Sequence, residues 1–558
     1  MTKRKKEYPW EKKYPENISW KCEFENKPLY SILDDAAKKF PDNTCINYYG
    51  RKYSFAEVLE STNKMAKGLQ QQGLTKGTRV GLLMPNCPQF VIAYYAVLKI
   101  GGIVVNYNPL YTTNELSKQV NDSHTTIMVT LDLNMLYNKT SNLLQTTPLE
   151  KVIIAEFKSA LPFPKDILFG FFKKEEMASV AFSRININAN DIMNNDGKYL
   201  QVNIDPKEDA AVYQYTGGTT GIAKAAILTH SNLYINTIQS GMWFEGLEEG
   251  KERMMAILPF FHVFAMTVVM NLSILKACEM IVHSKLDVGA LLKDISKKGG
   301  TLLPGVPTLF AAINNHKRIK SYNLSSLKFC ISGGAPLPLD IKEKFEEKSK
   351  CTLIEGYGLT ESSPVAAANP LFGENKSGSI GMPLPGTIIE IRSTEGRRPL
   401  LPKDKIGEIC IKGPQVMKGY LNNEKETKET IKNGVLHTGD VGYMDKDGYI
   451  FVVDRLKEMI ISSGFNVYPR EVEEEIYKHP AVEEACVIGV ENSYRGQIVK
   501  AFVVLRQGET LIDKDLKHFL SSKLAKYKLP AEIEFIDSLP KTMIGKISKK
   551  DLKQNSDN

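Results

Sequence analysis

Between Tyr215 and Lys224 the chain reads YTGGTTGIAK. Gly217, Gly218 and Gly221 would let the backbone fold closely around an anion. Thr216, Thr219 and Thr220 offer hydroxyls, and Lys224 adds a point charge. Opposite unit charges roughly 4 Å apart attract by about 4 kcal/mol at an effective dielectric near 20, so one well-placed lysine matters. A strand-like run, AAVYQY, precedes the loop, and a helix opening near Thr229, His230 and Ser231 follows it. The spacing therefore predicts a phosphate cradle at a strand–helix junction. It is not the nucleotide P-loop G-x-x-x-x-G-K-[ST], because Lys224 follows Ala223 and precedes Ala225. A plain surface turn also uses glycine, but six consecutive Gly and Thr residues followed by a lysine are a rare composition for one.

Four further stations carry groups suited to the same chemistry: EGYGLTE (355–361), HTGD (437–440), DRLKEM (454–459) and PKTMIGKI (540–547). Singly, each has a bland alternative. Glu361 is a solvated acid, Asp440 a loop cap, Arg455 a surface ion pair, and Lys546 one of many lysines in the tail. Lys541, Lys549 and Lys550 are read as surface residues. The eight cysteines (Cys22, Cys45, Cys87, Cys278, Cys330, Cys351, Cys410, Cys486) are scattered without a C-x-x-C pair. They are expected to be buried small hydrophobes in a reducing compartment.

The elements that must position these groups follow from the apolar pattern. RVGLLM (79–84) and GIVVNY (102–107) are predicted strands, and 89–98 and 113–122 predicted helices. Such alternation implies an α/β fold, with a large N-terminal domain of layered α/β subdomains around mostly parallel sheets. From about 387 to 453 short strands between Gly and Asp turns predict a small β-barrel-like subdomain. From 455 to 558 a small mobile α+β C-terminal domain is expected, with a hinge at about 454–459 and residues 1–454 forming the first domain.

At 558 residues the chain is long enough for several folding units. Its 42% hydrophobic and 24% charged content excludes a disordered or collagen-like protein. The net charge of +8 is small for this length, so it permits acidic small molecules or a membrane surface and gives no argument for nucleic acid. No apolar stretch follows the basic N-terminus, so no secretory signal is expected. Residues 254–275 lack charge over a length that could span a bilayer, but Pro259, His262 and Asn271 within it favour a buried core segment.

With LPFFHVFAM (258–266), ISGGAPL (331–337) and SSGFNVYPREVE (462–473) added, the stations occur in one order along nearly the whole chain. This pattern resembles the acyl-adenylate-forming superfamily, and YPENI and YRGQIVKAFVV resemble its bacterial long-chain fatty-acid–CoA ligases. The resemblance implies ATP, Mg²⁺ and CoA, with the loop and Lys224 holding phosphates and Thr216 and Glu361 holding Mg²⁺. It makes Tyr357 the ring stacked on adenine, within Gly356, Gly358 and Thr360, with Gly333, Gly334 and Ala335 leaving room for the base. Asp440 would accept the ribose hydroxyls, Arg455 would contact ribose or phosphate, and Lys546 would neutralise the reacting α-phosphate and carboxylate. Lys457 falls at the family hinge, and Gly464 would let the pantetheine arm of CoA pass.

On the acyl side, His262 stands where amino-acid-activating relatives carry a carboxylate, which disfavours an amine substrate. Met266 stands where some long-chain enzymes carry an aromatic gate, and it packs adaptably around alkyl groups. The implied activity is a long-chain fatty-acid–CoA ligase that releases AMP and pyrophosphate. Alternatives are a medium-chain or aryl acid–CoA ligase, a fatty acyl-AMP ligase, or a non-catalytic nucleotide- or lipid-binding sensor. Retention of Lys224, Glu361, Asp440, Arg455 and Lys546 together argues against the sensor. A cytoplasmic location at the inner membrane face, where fatty acids arrive, is expected and the basic balance allows it; a homodimer is a family-level expectation.

Overall fold

The computed structural model describes residues 7–216, 223–395, 399–462, 465–492, 496–541 and 547–556. Gly217, Gly218, Thr219, Thr220, Gly221, Gly464 and Lys546 therefore lie outside the described residues.

Two large sheets form the N-terminal part. One runs in the order 419–420, 224–229, 210–216, 103–106, 79–83, 127–131, 151–155, 186–188, and its inner strands are parallel. The other runs 382–383, 365–368, 353–358, 329–332, 302–305, 253–256, 279–282, 44–48, 51–54. Strands such as Ile103–Asn106 and Phe329–Ser332 are buried along their whole length, as parallel strands covered on both faces must be. Helix Pro88–Lys99 is buried at every residue except Gln89, which explains its nearly uninterrupted apolar sequence.

The uncharged 254–275 run resolves into a strand, Arg253–Ala256, a π-helix, Ala265–Asn271, and a short α-helix, Leu272–Leu275. Every residue of the π-helix is buried. No helix among the described residues is long and apolar enough to cross a membrane.

One expectation is corrected. The segment after Lys224 is a strand, Lys224–Thr229, paired antiparallel with Ala210–Thr216. The glycine–threonine loop thus joins two strands of a hairpin, and the helix His230–Trp243, capped by the Thr229 hydroxyl, comes only afterwards. KAAILT is apolar and mostly buried, and it pairs on both sides, with Ala210–Thr216 and with the edge strand Gly419–Tyr420.

Strands Ile388–Arg392, Gly407–Lys412, Val435–Met444 and Ile450–Arg455 build a third, antiparallel sheet. A smaller C-terminal domain follows, with its own sheet of strands Ile460–Ser462, Phe465–Val467, Val482–Asn492, Gly496–Leu505 and Glu532–Phe535. Its core, around Val472, Ile476, Val487, Val503 and Leu516, is separate from the main one.

Candidate active site

The nucleotide stations sit on the ends of strands from different sheets. Gly356, Tyr357 and Gly358 lie in Leu353–Gly358, and Thr360 and Glu361 in the 3-10 turn that follows. Gly358 needs its missing side chain, since a Cβ there would meet the Pro364 carbonyl oxygen at 2.0 Å. Gly333, Gly334 and Ala335 follow directly on Phe329–Ser332. A Cβ at Gly333 would stand 3.1 Å from the Phe264 ring, so this glycine lets the segment 258–266 pack closely against the end of Phe329–Ser332.

Two clusters emerge. In the first, the Tyr357 hydroxyl donates to Asp440 Oδ2 at 2.6 Å, and Arg455 Nε lies 3.2 Å from Asp440 Oδ1. Asp440 and Arg455 face each other in register across Val435–Met444 and Ile450–Arg455. Burial, and then the Asp440 charge, push the Tyr357 phenol well up, so it stays a donor. Asp440 is buried while Arg455 is half-exposed, which puts a guanidinium at the mouth and a carboxylate at the base.

The turn bearing Asp440 is held from below by Glu408. Its Oε2 lies 2.7 Å from His437 Nδ1, and its Oε1 accepts from Gly439 N at 3.2 Å. Glu408, Cys410 and His437 are of metal-ligating types and their ligand atoms lie within 4.8 Å of one another. The carboxylate is already engaged in shaping the turn, where Gly439 has φ +72°.

The second cluster gathers around Lys224. Lys224 pairs with Glu426 of the helix Glu424–Thr430, and its ammonium lies 5.4 Å from the Tyr420 ring. The Tyr420 hydroxyl donates to Glu361 Oε1 at 2.7 Å, and Met417 N donates to the Glu361 carbonyl at 2.8 Å. The Lys224 bond, followed by burial acting against it, leaves the Glu426 carboxyl below its ordinary range; Lys457 contributes in the same direction. The Thr360–Ser362 turn packs on both hairpin strands, bringing Glu361 to the side of the sheet where Thr216 ends its strand. An all-oxygen pair of this kind, a hydroxyl and a carboxylate, fits Mg²⁺ beside phosphates. Sequence reasoning missed Tyr420 and Glu426, which lie about two hundred positions from Lys224 and carry no local pattern of their own.

His262 Nδ1 accepts from Phe264 N at 3.3 Å at the mouth of the π-helix, and Met266 is fully buried inside it. Asn106 Nδ2 reaches both Gln214 Oε1 at 3.0 Å and Met266 Sδ at 3.3 Å, while Gln214 Nε2 donates to the Phe261 carbonyl at 3.0 Å. This buried network ties the phosphate strand to the acyl segment. Wide π-turns recur at binding sites because they push side chains out of the regular helical register.

Lys457 is exposed just beyond Arg455, and the neighbouring residues form an ionic cluster. Asp454 accepts from Arg455 N at 2.6 Å and from Arg470 N at 2.8 Å. Arg470 Nη1 donates to the Val452 carbonyl at 2.8 Å. Burial raises the Asp454 carboxyl to about 6, with Lys549 opposing the shift. Burial likewise raises Glu355 to about 7 although Arg470 faces it. The expectation that Lys549 is a surface residue is corrected: it is largely covered and pairs with Glu458 at 3.1 Å and Glu473 at 3.2 Å. Lys541 stays at the surface, paired with Glu484.

Residues 33–421 match the AMP-binding enzyme family, and residues 471–546 match the AMP-binding enzyme C-terminal domain. A long-chain-fatty-acid–CoA ligase of Bacillus subtilis is 45% identical over 547 residues, covering 98% of this chain and 97% of its own. ATP-bound MatB from Rhodopseudomonas palustris superposes with TM-score 0.84 at 28% identity, over 96% of this chain and 99% of MatB. The apo form of MatB, over the same shares, gives 0.75. The chain belongs to the AMP-binding enzyme family, the acyl-adenylate-forming enzymes.

Proposed function

We propose that the protein is a long-chain fatty-acid–CoA ligase that activates its acid with ATP and Mg²⁺ and passes the acyl group to CoA. The observation that carries this reading is the convergence of Tyr357 and Arg455 on Asp440, with Glu361 held by Tyr420 beside Lys224. The Bacillus subtilis relative supports the substrate class.

In the first step the fatty-acid carboxylate attacks the α-phosphorus of ATP and pyrophosphate leaves, giving an acyl-adenylate. Two anions must approach, so the work is positioning and neutralisation. Asp440 takes the ribose hydroxyls, exchanging its Tyr357 and Arg455 contacts for them, and Tyr357 is freed to lie along the adenine. Gly333, Gly334, Ala335, Gly356 and Gly358 give the base room, and Thr360 borders it. Gly217 to Gly221 wrap the outer phosphates, and Lys224 leaves Glu426 for them. Mg²⁺ between Thr216 and Glu361 would supply further neutralisation of phosphate charge. Lys546 completes it from the C-terminal domain.

In the second step the CoA thiolate attacks the acyl carbonyl and AMP departs with its phosphate charge. The C-terminal domain turns at Lys457, with the first domain ending at 454, and Gly464 lines the pantetheine path. His262 and Met266 border the alkyl chain. The closer agreement with the ATP-bound form of MatB than with its apo form supports an orientation suited to the first step.

Pyrophosphate release with palmitate tests the enzyme against the sensor. Multiple turnover only when CoA is present separates a CoA ligase from a fatty acyl-AMP ligase. A panel of short-, medium- and long-chain acids and benzoate, read as kcat/KM ratios, fixes the acyl class. The protein works in the cytoplasm, where fatty acids reach it at the inner membrane face, and as a homodimer that sedimentation would reveal.

A further inference from the structure

The turn that carries Asp440 interrupts an otherwise regular ladder. Strands Gly407–Lys412 and Val435–Met444 pair Glu408 with Val441 and Cys410 with His437. One residue of the first strand, Ile409, therefore stands opposite three of the second, Thr438, Gly439 and Asp440. Such a bulge re-aims a side chain, and it keeps that aim only while its displaced backbone groups are held. The Thr438 hydroxyl donates to the Ile409 carbonyl at 2.7 Å and accepts from Asp440 N at 3.0 Å. The Gly439 carbonyl accepts from Leu456 N at 2.8 Å. Glu408 supplies the remaining hold, with Oε1 accepting from Gly439 N at 3.2 Å and Oε2 lying 2.7 Å from His437 Nδ1. At 3% exposure this carboxylate is a costly group to bury for packing alone.

We propose that Glu408 is a positioning residue for nucleotide selectivity: by fixing the 438–440 bulge it aims the Asp440 carboxylate, and so sets how strongly the enzyme prefers a ribonucleotide to its 2′-deoxy analogue. Glu408 engages the chain one and three residues before Asp440, and two contacts from one planar carboxylate pin a turn that a single contact would let pivot. Arg455 draws on the same Asp440 carboxylate from 3.2 Å, so the bulge has to be held against that pull. The inference rests on the reading that Asp440 takes the ribose hydroxyls. It adds the residue behind Asp440 that makes the grip selective.

The test measures kcat/KM for acyl-adenylate formation from palmitate with ATP and with 2′-deoxyATP, in the native chain and in Glu408→Ala, Glu408→Gln and Thr438→Val. The native enzyme should prefer ATP by on the order of ten- to a hundredfold, as a hydrogen bond to a charged group allows. Glu408→Ala should raise KM for ATP about tenfold and bring the preference to within about threefold of none, with KM for palmitate held within about twofold. Glu408→Gln keeps an acceptor for Gly439 N and should recover most of the preference. Thr438→Val loosens the same bulge from its other side and should lower the preference about threefold, which keeps the test open if Glu408→Ala does not fold. A preference unchanged in Glu408→Ala, or in Thr438→Val where the alanine variant fails to fold, overturns the proposal. So does an equal loss with both nucleotides, the result of a purely structural role. A native enzyme that does not distinguish the two nucleotides would discard the ribose reading of Asp440, and this proposal with it.

Discussion

The strands bearing Tyr357, Asp440 and Arg455 and the cluster around Lys549 hold their parts by different means. In the first region Asp440 and Arg455 are placed by β-register, Tyr357 and Glu361 lie on and just after one strand, and the Glu408 carboxylate bonds a backbone N–H to set the turn. In the second, Lys549 meets Glu458 and Glu473 through charge, while Asp454 accepts from the backbone N–H groups of Arg455 and Arg470. A register is all or none, because a slip of one residue turns every side chain to the other face. A covered ion pair fails differently, because removing one partner strands the charge of the other.

The contrast can be broken from either side. The largest effect is expected for Lys546→Ala, which should lower acyl-adenylate formation by about a hundred- to a thousandfold. It should spare thioester formation from supplied acyl-adenylate, and equal loss of both steps in single-turnover assays would refute the role given to this lysine. Next, Lys549→Met strands Glu458 and Glu473 beside each other. It should cost about 2–3 kcal/mol in denaturant unfolding of the C-terminal domain, with little change in ATP affinity of the rest.

The third prediction concerns pH. Folded Asp454 titrates near 6 against an ordinary 3.8, so the folded state holds the extra proton between those values. The stability gained from neutral Asp454 is full below about pH 4 and is lost as pH rises through 6. Asp454→Asn should therefore flatten the melting profile in that window by on the order of 2 kcal/mol. A variant profile that still falls in parallel with the native one would assign the slope to other groups. The smallest effect belongs to Tyr420→Phe, which removes one hydrogen bond to Glu361. It should raise KM for Mg-ATP about fivefold, equivalent to about 1 kcal/mol, without altering KM for the acid.

What could be read in advance follows the range of each signal. The glycine–threonine run 217–221 lies outside the described residues, whereas the strand runs were legible because parallel strands are apolar throughout. Tyr420 and Glu426 were not, since they reach Lys224 and Glu361 only after the edge strand Gly419–Tyr420 pairs with Lys224–Thr229. Lys549 was hidden by the composition around it: in a lysine-rich tail nothing local separates the one that meets two acids from those that meet water. The π-helix also escaped, because an apolar run without charge has no period that tells a wide turn from an ordinary one. The stations point to candidate groups, whereas their mutual distances arise only from tertiary pairing.

The hairpin that sets Asp440 opposite Arg455 has a practical consequence for anyone recombining such enzymes. The acid lies on Val435–Met444 and its basic counterpart ends the neighbouring strand Ile450–Arg455, so a splice placed between them would mate halves from two parents across one ladder rung. Grafts of the C-terminal lobe should be joined after Arg455, so that the host retains both members of this ion pair.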